Sequence, residues 1–230
     1  IESTPNGTPT DIIFRWSDHD AMVTLVAYPP KGAYFGYQSY VFSTESSNYT
    51  SSDPLQVLSP DPARYEIFGS IGNNINNTII QNNYMTPWNG NMIMYITTSN
   101  KDLANDLISQ ATASGINPNS IFIEPIGANV KTGNGRDADD LVNLIRYAIP
   151  QDASAGNAWL NNVTNNVVVY KVSNPNLSVT KYPTNQYTSR IGTTELQLQT
   201  QLDELAGLLQ AWLAAQTPSQ TITSKTMEHT

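Results

Sequence analysis

Cysteine is absent from the 230 residues of this chain. That excludes disulfide staples, thiolate nucleophiles, Cys-ligated zinc and iron–sulfur clusters together. Histidine is nearly absent: the only two are His19 and His229. A zinc site that needs two or three imidazoles is therefore poorly supplied. Charge is sparse as well. Charged residues make up 13% of the chain, against about 25% in a typical globular protein. Eleven Lys and Arg face nineteen Asp and Glu, for a formal net charge of -8, and the basic residues are scattered. Such a surface repels phosphate backbones and anionic lipid, which disfavours nucleic acid and charged membranes as partners. No apolar run approaches the roughly 20 residues needed to span a bilayer.

What replaces the missing charge is Asn, Ser, Thr and Gln, an uncharged polar surface more common outside cells than inside. Hydrophobic residues at 39% are enough for a core, and a chain of this length buries one without staples. The lack of cysteine tilts the expectation towards a prokaryotic exported protein, with a cytosolic protein that happens to lack cysteine as the alternative. Residues 1–10, IESTPNGTPT, begin without Met and read as a polar leader, left either by removal of a signal or pro-segment or by trimming of the chain. Asn-x-Ser/Thr sequons at Asn6, Asn48, Asn76, Asn162 and Asn176 permit glycosylation. The expected localisation is secreted or cell surface.

Along the chain, residues 21–28 are a β-branched run that ends at Pro29-Pro30, a buried strand meeting a rigid turn. Residues 34–42, YFGYQSYVF, are apolar or aromatic on both faces and read as a central strand. Residues 43–62 read as a surface loop and 65–68 as a short strand or helical turn. Residues 92–97 form a strand; Asn100 caps a helix over about 101–114, stopped by Gly115; residues 120–124 form the next strand. This is a βαβ unit, with parallel strands and a right-handed crossover expected. A glycine-rich loop, 131–136, leads to a second expected helix that begins at Asp137, turns Leu141, Leu144, Ile145 and Ala148 inward, and ends at Pro150. Residues 151–165 read as a loop, 166–172 as a strand and 173–192 as extended and polar. A last helix over about 195–216 opens with a Thr194/Gln197 capping box. The expected fold class is α/β (or α+β): a mixed sheet with a right-handed βαβ unit and helices packed on its faces. Residues 1–216 read as one globular domain and 217–230 as a polar tail or linker.

The segments YPP-x3-YFGYQSYVFS, FGSIGNNINNT and ITTSNKD, in that order and spacing, resemble an uncharacterised family of secreted or membrane-anchored proteins over residues 21–172. The resemblance implies export and a single fold. It carries no catalytic residue over, because the family has no assigned activity.

Several constellations could carry chemistry. Asp18-His19-Asp20 joins the commonest general base to two carboxylates at a strand entrance, although a polar turn is the plainer reading. Ser70, in Gly69-Ser70-Ile71-Gly72, invites comparison with a nucleophile elbow but departs from G-x-S-x-G. Thr98, Ser99, Asn100 and Lys101 sit where a strand meets a helix N-terminus, a position that favours anions. Lys131-Thr132-Gly133-Asn134-Gly135-Arg136 follows the next strand end, and Asn134 and Arg136 are its ligand candidates. It is not a Walker loop, because the Lys precedes the glycines. Asp137, Asp139 and Asp140 offer oxygen ligands with Asn134 for Ca²⁺, yet acids in a first helical turn are the ordinary dipole complement. No metal or cofactor is expected. Tyr34, Tyr37, Tyr40, Tyr84 and Trp88 would stack on sugars if exposed; at strand spacing, core is the plainer reading.

Two functional readings follow. The preferred one is a non-catalytic extracellular binding, surface or assembly protein, with carbohydrate or another extracellular protein as partner. The alternative is a secreted hydrolase that uses Asp18, His19, Asp20 or Ser70.

Overall fold

A computed structural model of the chain describes residues 13–45, 64–72, 74–83, 86–135, 137–184 and 199–216. The 1–10 leader, Asn73, Tyr84, Arg136, the Thr194/Gln197 capping box and the 217–230 tail lie outside them. The chain divides into two compact units, Ile1–Thr188 and Ser189–Thr230, where the sequence reading set its boundary after residue 216.

The first unit is built from two sheets. Strands β1 (Asp20–Ala27), β5 (Met92–Thr98), β6 (Ile121–Pro125) and β8 (Val167–Ser173) form one, in the order β6-β5-β1-β8. It is mixed: β1 runs antiparallel to β5 and β8, while β5 and β6 are parallel. The second sheet is organised on β2 (Gly32–Glu45), with β7 (Asp140–Pro150) along one edge and β3 (Arg64–Ser70) and the short β4 (Ile75–Asn76) on the other, all antiparallel. Residues 34–42 are thus central, as their two apolar faces predict.

Alternation along the strands assigns the layers. Val26 of β1, Ile93 and Tyr95 of β5 and Phe122 of β6 meet Phe35 and Tyr37 of β2 in one buried cluster between the sheets. Tyr37 and Tyr95 stack there with ring centroids 4.2 Å apart. The neighbouring residues of the same strands, Ala21, Val23, Met94 and Ile96, point the other way and pack on α2 (Lys101–Ala113) through Leu103, Ala104 and Ala111. The result is helix, sheet, sheet. The β5-α2-β6 unit is parallel as expected. Asn100 caps α2 by accepting from the N–H groups of Asp102 and Leu103, and Gly115 ends it at φ +92°, where a side chain would be strained.

Three expectations need correction. Residues 140–150 are strand β7, not a helix: they pair with β2 from Gly32 to Ser43. The 3–4 spacing of Leu141, Leu144, Ile145 and Ala148 fitted a helix. The true period is 2, with Leu141, Ile145 and Tyr147 facing the cores and the polar Asn143 among them masking the alternation. Val142, Ile145, Tyr147 and Ile149 are also residue types that favour strands. Asp140 is consequently no first-turn acid. Second, residues 151–165 are no loop but carry helices α3 (Ala153–Asn161) and α4 (Val163–Asn166). Asp152 caps α3, and Trp159 anchors it by donating from Nε1 to the Ala27 carbonyl at 2.8 Å. A Cβ at Gly156 would lie 2.6 Å from that of Pro150, so the close approach requires glycine there. Third, β2 continues to Glu45, into the stretch expected to be loop. Helix α1 (Asn77–Asn82), capped by Asn76, was not anticipated.

The second unit contributes one described helix, α5 (Gln199–Gln216).

Candidate functional site

The turn before β1 carries Asp18 and His19, and Asp20 opens the strand. Each carboxylate oxygen is already engaged. Asp18 Oδ1 accepts from Ser99 Oγ at 2.8 Å and from Thr132 Oγ1; its Oδ2 lies 3.0 Å from Lys181 Nζ. Asp20 Oδ1 accepts from Ser173 Oγ, and its Oδ2 accepts from the Ser17 N–H at 2.8 Å and pairs with Lys171 Nζ at 3.1 Å. Burial alone would raise the Asp18 carboxyl; the bonds from Thr132, Ser99 and Lys181 outweigh it and hold the group below the ordinary aspartate value. Burial opposes the bonds from Ser173, Ser17 and Lys171 at Asp20 in the same way, and again the bonds win.

The structure therefore brings together three of the segments singled out in the sequence. Ser99, at the β5–α2 junction, and Thr132, in the 131–136 loop, meet on Asp18. What they build is a brace. The N–H groups of the first α2 turn are engaged within the chain too: Lys101 donates to the Thr180 carbonyl at 2.8 Å, and Asp102 and Leu103 donate to Asn100. Thr98 Oγ1 donates to the Asp20 carbonyl, and Asn100 Nδ2 to the Ser178 carbonyl. The segment 178–182 thus covers the helix end where an anion would sit. Lys101 is exposed on α2, and Asn134 is exposed in its loop. That loop precedes a strand, so it has no helix dipole to offer.

His19 is half-buried, and its Nδ1 is buried without a partner. Ser70 ends β3 on the other sheet, opposite Tyr40. No hydrogen bond joins His19 to Ser70, Asp18 or Asp20. A general base needs an orienting group behind it, and among the described residues none bonds to Nδ1 of His19. Of the aromatics, Tyr37, Tyr40 and Trp88 are core and Tyr34 is half-buried. Among the described residues, no group of three or more His, Asp or Glu is placed to hold a metal ion.

Sequence reasoning missed the two most unusual polar clusters. Glu124 of β6 is 1% exposed, between the sheets. It accepts from the Ser39 N–H at 2.6 Å, from Ser39 Oγ, and from Thr97 Oγ1 at 3.1 Å. Tyr37 and Asn143 extend the network: Asn143 Nδ2 donates to Tyr37 Oη and to Ser39 Oγ, and Tyr37 Oη lies 2.9 Å from Thr97 Oγ1. Burial raises the Glu124 carboxyl above its ordinary value despite these bonds. The second cluster is a buried ion triad. Asp140 lies 2.7 Å from Nε of both Arg15 and Arg64 and accepts from Ser43 Oγ at 2.5 Å. Arg64 also donates to the Ser43 and Ala138 carbonyls. For the first, the sequence signal is an acid near the end of the apolar run of β6; for the second, Asp140 reads as a first-turn acid and nothing local ties it to Arg15 or Arg64.

No protein-family model, no curated protein and no solved structure matches this chain. The functional reading therefore rests on the geometry and the composition. A surface concavity lined by Lys31, Gly32, Ala33, Ile149, Pro150 and Gln151 holds no carboxylate, imidazole or hydroxyl. The edge of the mixed sheet is different in kind. Strand β8 has β1 on one side and no strand on the other among the described residues. It exposes Val168, Val169 and Tyr170 at 37%, 52% and 52%.

Proposed function

We propose that this chain is a non-catalytic extracellular binding or assembly module. The observation that carries the reading is the commitment of Asp18 and Asp20. Both are engaged by hydroxyls and a lysine, Asp20 also by a backbone N–H, as framework carboxylates are, and neither orients His19. The sparse charge and the Asn- and Thr-rich composition support a place outside the cell. The partner surface is the β8 edge. An open edge strand offers a row of unpaired N–H and C=O groups to an extended segment of another protein, and its apolar side chains add contact area.

Turnover on a panel of ester, amide and glycoside substrates tests the reading. No hydrolysis is expected. Hydrolysis that His19→Ala or Ser70→Ala lowers by about 100-fold, the scale for losing a catalytic base or nucleophile, would replace it with the hydrolase reading.

A further inference from the structure

Helix α5 carries an apolar seam with a sequence period, and its described side chains stand exposed. Written as a heptad, Leu202 and Leu209 fall at a, and Leu205 and Trp212 at d, a 3-4-3 spacing. Leu205, Leu208, Leu209 and Trp212 are 51%, 70%, 43% and 63% exposed. A helix of this length in water owes most of its stability to packing of such a face rather than to propensity, and Gly207 in its middle weakens it further. Something must cover the seam.

The charges say what. The only charged residues in the helix are Asp203 and Glu204, at positions b and c, outside the seam. Two copies can therefore meet without bringing like charges together. Positions e and g, where charges would select a different partner, hold Ala206, Leu208 and Leu213 instead. A lipid surface is disfavoured, because the polar face of a membrane-bound helix is normally rich in Lys and Arg, and α5 contains neither. We infer that α5 is a self-association helix, its Leu205–Trp212 seam packed on the same helix of a second copy of this chain.

Sedimentation of the full chain across a dilution series tests this. The expected result is a mass that is a multiple of the 25.2 kDa chain, returning to a single chain in Leu205→Glu/Leu209→Glu. The seam lies outside the first compact unit, so the double variant should keep the cooperative thermal transition of the wild type. Val169→Glu, on the β8 edge, should associate as the wild type does. A single-chain mass at every concentration would overturn the inference. Association that survives the double variant, or that Val169→Glu abolishes, would move the interface away from α5. Co-sedimentation of a single-chain protein with phosphatidylcholine vesicles would assign the seam to lipid instead.

Discussion

The backbone N–H of Ser39 donates to the Glu124 carboxyl at 2.6 Å, across the interface between the two sheets and 85 residues apart in sequence. Every partner of Glu124 is neutral, so hydrogen bonds offset only part of the cost of burying its charge. Its carboxyl is consequently raised above the ordinary value of 4.5.

Glu124→Gln should show this as a pH dependence. Below the ordinary value the acid is protonated in both folded and unfolded chains, and its full contribution is present. As pH rises, the unfolded chain releases the proton first, so stability is lost until the raised folded value is passed. Glutamine keeps an acceptor for the Ser39 N–H and places an N–H₂ where the protonated acid would donate. The melting temperature of the variant minus that of the wild type should grow with pH from the acid side to neutrality. A flat difference would show that Glu124 titrates normally.

Asp140→Ala tests the ion triad. Arg15 and Arg64 have side chains 6% and 0% exposed, and the substitution strips both of this counter-charge. Breaking a buried pair from one side costs about 3–5 kcal/mol. The midpoint of urea denaturation should fall accordingly, and Asp140→Asn, which keeps the shape, should recover only part of the loss. An unchanged midpoint in the alanine variant would remove the triad from the account of stability.

Asp18 should behave in the opposite sense to Glu124. Its carboxyl is held below the ordinary aspartate value. Its contribution is present above the unfolded value and is lost as pH falls through the folded one. Asp18→Asn should flatten the acid limb of the stability curve and narrow its gap from the wild type as pH drops. The effect should be modest, because Asp18 and its partner Lys181 are both partly exposed. An acid limb unchanged in the variant would mean that the Ser99–Asp18–Thr132 brace carries no linkage.

The sequence by itself determined the elements whose signals are local. The apolar runs of β1, β5 and β8, the two-faced β2, the cap at Asn100 and the stop at Gly115 all rest on residues within a few positions of one another. The parallel β5-α2-β6 unit follows from its connection. Tertiary structure decided the rest. β7 reads as a helix until β2 is set beside it, because Asn143 interrupts the inward series, and its place there makes sense only opposite Tyr37 and Ser39, 106 and 104 residues away. From its neighbours in sequence, the Asp18-His19-Asp20 triplet leaves a catalytic role open beside the plainer reading of a polar turn. Its partners Ser99, Thr132, Ser173 and Lys181 come from four distant segments. Whether a carboxylate is a base or a brace depends on which donors reach its oxygens, and long-range packing alone sets those distances.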